Sequence, residues 1–365
     1  MISFGPTEEQ EAIREAMHGF AESAMRPIAR DCDEDSIVPD DFLEQAWQLG
    51  LSTTQVPEAF GGMGAERSPL TNAIALEELA WGDAALAVAA LAPSLFMNAL
   101  LDHGTDDQKR ALLPGLCGDR FALGSLALLE PRALADATRP ATEAKMAGSG
   151  FFLSGTKRLV PFADRARHFL VLARVGEGLG ALIVDRDAPG LRIAEAPDKN
   201  LGLRAVPHYT IELDHVKLAP DSLLGGERGC DLRRLLDTSR AAIATCLVGL
   251  ARAVVDYCVP YAKDRVAFDE PIARKQAVAF SLADAHSEVE AMRWLAWKAA
   301  SQLEQRSSAT KACFQAWSYA GERGLWVADT GIQTLGGHGF IREHPVEMWF
   351  RNARTLGVLE GTISI

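Results

Sequence analysis

The hydrophobic period changes twice along this chain, and those two changes restrict its possible folds more than any single motif does. From Thr7 to about Leu116 apolar residues recur at helical spacing, starting with Ile13, Met17 and Phe20 behind Thr7 and Gln10, which are placed as a capping box. Residues 57–64 (PEAFGGMG) interrupt this stretch as a loop, because proline and three glycines disfavour a helix interior. Between about Phe121 and Leu224 the runs become short and apolar or alternating, at 151–153, 169–172, 181–184 and 210–213. Turn residues recur at Gly148, Gly150, Gly155, Gly190, Gly202 and Pro207, closely enough for a barrel or small sandwich. From Asp231 onward helical spacing returns, with long runs over 240–265 and 276–304. The expected fold class is α+β in the order helices, strands, helices. Its domains are an all-α unit over 1–120, a β unit over 121–228 and a helical bundle over 229–365. A chain of 365 residues exceeds what one core supports, which fits that division.

Charge narrows the partners. Lys plus Arg number 37 against 49 for Asp plus Glu, a net charge of −12, which argues against nucleic acid or an anionic membrane surface. An anionic ligand must therefore be met by a local cluster. No run approaches about 20 uninterrupted apolar residues, and Glu8, Glu9 and Glu11 stand where a targeting peptide would be basic, so a cytoplasmic location is expected. Six cysteines lie scattered singly, without the paired spacing of a metal site, and read as reduced, mostly buried thiols.

Gly336-Gly337-His338-Gly339 alone would be read as a turn. In context, the segment 333–354 (QTLGGHGFIREHPVEMWFRNAR) followed by Leu359-Glu360-Gly361-Thr362 resembles the C-terminal signature of the acyl-CoA dehydrogenases. Further pieces follow the family's order: Thr7-Glu8-Glu9-Gln10, Pro57-Glu58-Ala59-Phe60-Gly61-Gly62, Glu130-Pro131, Gly155-Thr156-Lys157, Leu201-Gly202-Leu203-Arg204, Arg240, and 265–272 (RVAFDEPI). The resemblance spans nearly the whole chain. It implies a C-terminal four-helix bundle behind the β domain, and FAD with an acyl-CoA thioester as ligands.

Desaturating a thioester between its α and β carbons needs a base for a proton and an acceptor for a hydride. The resemblance places the base at Glu360 and the acceptor at N5 of FAD; a solvated helix-end carboxylate is the plainer reading of Glu360. Some branched-chain members carry the base on an earlier helix just before an arginine. Here Ser239 precedes Arg240, and serine cannot serve unaided. Arg240 is equally a substrate contact or a buried ion-pair partner. For the FAD pyrophosphate, an arginine offers forked, permanently charged donors, and Arg265 occupies the matching place. The resemblance adds Phe268 at the adenine, Gln276, Gln333, Gly336 and Gly337 toward the adenosine end, and Thr362 with Ser364 at the chain's own flavin. Because the Arg265 and Gln333 groups reach a neighbouring subunit's flavin in the family, a homodimer or tetramer is implied, with an electron-transfer flavoprotein as oxidant. No metal is expected.

The chain also departs from the family. Leu129 replaces a threonine before Glu130-Pro131, Arg132-Ala133-Leu134-Ala135-Asp136 replaces a polar glycine-rich run, and Leu159-Val160-Pro161-Phe162 replaces a polar segment beside the flavin. Pro161 has no N–H to donate. Two arrangements are compatible with these losses. One is an active homo-oligomer; the other is a noncatalytic or half-site partner in a heterotetramer with a paralogue.

Overall fold

The computed structural model describes residues 5–132 and 136–365; Ala133, Leu134 and Ala135 lie outside the described residues. The N-terminal helices are α1 (Glu8–Phe20), α2 (Ala29–Asp35), α3 (Asp40–Gln48), α4 (Pro69–Gly82), α5 (Ala84–Ala90), α6 (Ser94–His103) and α7 (Asp106–Leu116). α1 opens on the expected capping box: the Gln10 N–H donates to Thr7 Oγ1 at 3.2 Å and the Thr7 N–H to Gln10 Oε1 at 3.0 Å. Residues 57–64 form the expected loop, containing a single 3₁₀ turn over Glu58–Phe60. α4 is buried on nearly every side, because it packs on α1 and also on the long helix α8 described below.

Among the described residues seven strands follow: β1 (Ser125–Ala127), β2 (Glu143–Ala147), β3 (Gly150–Pro161), β4 (His168–Val175), β5 (Gly178–Asp185), β6 (Leu191–Ile193) and β7 (His208–Leu218). The four anticipated runs fall in β3, β4, β5 and β7. The other three escape sequence reading because β1 and β6 are three residues long and β2 (EAKMA) lacks β-branched residues. All seven join in one sheet. β4 pairs with β5 along one edge and divides its other edge between β1 and the start of β2.

The C-terminal part holds α8 (Leu232–Asp264), the hairpin β8 (Val266–Ala267) and β9 (Glu270–Pro271), α9 (Gln276–Glu304), α10 (Thr310–Leu335) and α11 (Val346–Leu356). These four helices pack together as the implied bundle. α8 starts well before the expected Arg240, because Asp231 caps it, accepting from the Arg233 and Arg234 N–H groups at 3.0 and 3.2 Å. By length and composition α8 could cross a bilayer, although Arg252 and Asp256 interrupt its apolar run. Its most apolar window is 78% buried, as befits the central helix of a core.

Candidate active site

Glu360 lies beyond α11 in a non-helical segment, and consecutive residues of α8 hold it. Arg240 donates from Nε to Glu360 Oε1 at 2.7 Å, and the Gly361 N–H donates to Ser239 Oγ at 2.9 Å. Glu360 Oε2 makes no hydrogen bond among the described residues. The Arg240 guanidinium is itself flanked by α10, 5.4 Å from the Trp317 ring centre and 5.6 Å from that of Phe314. Gly361 adopts a left-handed φ of +72°, and a Cβ there would meet Leu128 Cδ2 at 2.9 Å. Glycine is therefore required next to the carboxylate. Thr362 and Ser364 are buried rather than facing an open surface, with Asn98 Nδ2 donating to Ser364 Oγ at 3.4 Å.

Of the alternatives for Arg240, the structure supplies the ion pair. Its partner is Glu360 itself.

The other candidate residues gather at the far end of α8. Arg265 caps that helix, Gln276 begins α9, and Gln333, Gly336 and Gly337 end α10. Tyr261, in the last turn of α8, lies 3.4 Å through its hydroxyl from His338 Nδ1, which ties the ends of α8 and α10 together. Arg265, Gln276, Gln333, Gly336, Gly337 and Phe268 are all exposed, and the Arg265 guanidinium has no ion-pair partner among the described residues. A Cβ on Gly336 or Gly337 would meet nothing within 4 Å. Unpaired donors beside an open glycine surface fit a dinucleotide phosphate approaching from outside the protomer. Phe268 stands 89% exposed at the tip of the β8–β9 hairpin, where it and Asp269 take φ of +55° and +67°, the left-handed pair of a two-residue turn.

Arg240 and Arg265 are 25 residues apart on one helix, roughly 38 Å at the α-helical rise. The Glu360 group and the Arg265 group therefore lie at opposite ends of α8.

The β domain brings two motif pieces together. Lys157 is fully buried, its Nζ 3.0 Å from Glu130 Oε1 and 3.1 Å from the Leu128 carbonyl. Burial pushes the Lys157 ammonium down to about 8, against the pull of Glu130. Burial opposes ionisation of Glu130, yet the Thr142 and Ala141 amides and Lys157 hold it at about 2. Nearby, the segment with Leu159 and Pro161 is apolar and occupied: Leu159 takes a φ of +57°, the Arg158 N–H donates to the Leu129 carbonyl at 2.9 Å, and the Phe162 N–H to Pro207 at 2.8 Å. Those amides are spent within the domain.

A feature that motif reading missed is a groove of about 890 Å³ between the α6–α7 corner, the start of α8 and the α9–α10 connection. Lys109, Arg228, Arg233 and Arg306 line it and make no ion pair among the described residues. Asp237, one turn before Arg240, is at its inner wall. These cations are scattered over 109–306, so no local charge run marks them.

Comparison with known proteins agrees along the chain. Residues 7–119, 125–216 and 231–365 match in turn the N-terminal, middle and C-terminal domains of acyl-CoA dehydrogenases. The solved butyryl-CoA dehydrogenase of Megasphaera elsdenii has the same fold, with a TM-score of 0.90 and 27% identity over 99% of this chain and 96% of that one. A mitochondrial short-chain specific acyl-CoA dehydrogenase of Bos taurus is 34% identical over 368 residues, 98% of this chain and 88% of its own. A probable acyl-CoA dehydrogenase of Bacillus subtilis is 34% identical over 374 residues, 100% and 97% of the two chains. Three domains in this order define an FAD-dependent oxidoreductase. The chain belongs to the acyl-CoA dehydrogenase family, whose general reaction is dehydrogenation of acyl-CoA thioesters.

Proposed function

We propose that this protein desaturates an acyl-CoA thioester between its α and β carbons, with Glu360 as the general base. The observation that carries this is the half-occupied carboxylate: Arg240 takes Oε1 and leaves Oε2 without a partner among the described residues. Oε2 is then the atom that receives the α proton. Arg240, fixed between Phe314 and Trp317, keeps the carboxylate from rotating away. The coenzyme A phosphates suit Lys109, Arg228, Arg233 and Arg306, from which a pantetheine arm would run past Asp237 toward Glu360. FAD, when bound, supplies the hydride acceptor at N5. Arg265, with Gln276, Gln333, Gly336, Gly337 and Phe268, would hold the adenosine and pyrophosphate end of a cofactor centred on another protomer, while Thr362 belongs with the Glu360 end. An electron-transfer flavoprotein fits as the oxidant. The test is an anaerobic titration of the FAD-loaded protein with a panel of acyl-CoA thioesters. Bleaching of the flavin band identifies the reaction and the acyl class together; a panel that leaves the band untouched overturns the reading.

A second reading is favoured by the apolar, hydrogen-bonded segment around Leu129, Leu159 and Pro161. In it this chain lends the Arg265 half-site to a paralogue and does not hold a flavin of its own. FAD content after purification alone, against content after co-expression with a paralogue, separates the two.

A further inference from the structure

We infer that Ser239 is a positioning residue for the Glu360 carboxylate, acting through the backbone of the next residue. This rests on the assignment of Glu360 as the base. Residues 360–365 lie outside any helix or strand. The hydrogen bonds that fix them among the described residues are few: Arg240 to the Glu360 carboxylate, the Gly361 N–H to Ser239, Asn98 to Ser364, and Arg67 to the Ile365 carbonyl at 2.9 Å. Two of these come from neighbouring positions of α8 and grip neighbouring residues of the loop. Arg240 orients the side chain; Ser239 sets the height and tilt of the peptide that carries it.

Ser239 is 1% exposed, so no water replaces its hydroxyl when it is removed. The Gly361 residue is also crowded by Leu126 and Leu128, whose Cδ2 atoms would lie 3.2 and 2.9 Å from a Cβ. These contacts and the helix together confine the turn. Without the Ser239 acceptor the Gly361 N–H is left buried and unpaired, and the turn relaxes to satisfy it. Displacing a reacting carboxylate by even about 1 Å costs up to about 100-fold in rate.

Ser239→Ala is the test, with Ser239→Thr restoring the hydroxyl. Hydrogen exchange on peptides covering 357–365 of the full-length protein should accelerate about tenfold at Gly361 in Ser239→Ala and return toward wild type in Ser239→Thr. With FAD and substrate, kcat should fall about 10- to 100-fold in Ser239→Ala while KM and FAD content stay within about twofold. Unchanged exchange at Gly361 overturns the inference whatever the activity, and so does an equal loss of FAD content and kcat. If exchange responds but the wild-type protein desaturates no acyl-CoA, the anchoring of Glu360 by Ser239 stands and the dehydrogenase reading falls.

Discussion

The Nε–H of Arg240 meets Glu360 Oε1 at 2.7 Å across 120 residues of sequence, joining the middle of the chain to its last turn. Both side chains keep partial contact with solvent, 18% and 14%. The pair is thus mostly buried, and the cost of desolvating two charges offsets much of their mutual attraction. Its value is orientation, and that separates the consequences of changing Glu360 for folding from those for chemistry.

Glu360→Gln should leave the fold and the flavin in place, since the amide keeps the shape and its oxygen still accepts from Arg240. Flavin reduction by acyl-CoA should fall about 10²- to 10⁴-fold. Substrate should still bind and perturb the flavin spectrum. Stopped-flow absorbance checks both; reduction at the wild-type rate would remove Glu360 from the role of base.

Arg265→Ala should lower FAD retention without lowering the melting temperature of the apoprotein, because the guanidinium has no ion-pair partner to lose among the described residues. A charge-assisted phosphate contact contributes about 1.5–3 kcal/mol, a tenfold to hundredfold change in occupancy. The ratio of flavin to protein absorbance after gel filtration reads it. An equal drop in apoprotein melting temperature would make Arg265 a structural residue.

The exposed apolar residues Val266, Phe268, Phe280 and Phe340 surround the Arg265 end of the bundle. Sedimentation velocity should therefore give a dimer or larger species, and Phe268→Ser should shift it toward monomer. A wild-type monomer that retains one FAD per chain would refute this.

His208 is fully buried, with Nδ1 2.8 Å from the Val206 carbonyl, and burial lowers its pKa to about 4 from 6.5. The unfolded chain takes up this proton near pH 6.5 and the folded chain only near 4. Between those values the unfolded state binds more protons, so stability should fall as pH drops from 6.5 to 4, by roughly 3 kcal/mol in all. Above 6.5 this residue contributes no slope. Urea midpoints between pH 7 and 4.5 should show the loss in wild type and a flatter curve in His208→Gln; parallel curves would rule His208 out as the cause.

What the sequence disclosed of the site follows from how locally each part is encoded. The Glu360-Gly361 turn and Gly336-Gly337 sit inside contiguous motifs, because one carries a left-handed glycine and the other an open glycine surface. Glu130-Pro131 and Gly155-Thr156-Lys157 were visible as fragments, but only folding turns them into one buried ion pair. Ser239 was legible only as a residue unable to act as base. Its bond to Gly361 spans 122 positions, and no local pattern encodes it. The cations of the groove draw on three stretches of chain for the same reason.

α8 links both ends of this arrangement without a break, so its phase is as constrained as its composition. Ser239 and Arg240 face the Glu360 turn, and the same helix delivers Arg265 to the opposite end. Adding or deleting one residue between them would rotate one end against the other by about 100° and slide it about 1.5 Å. Side chains along the helix can be exchanged for others of like size; its residue count between positions 240 and 265 cannot drift. Lineages carrying this chain should accept substitutions there and reject length changes, as a gear accepts new metal but no extra tooth.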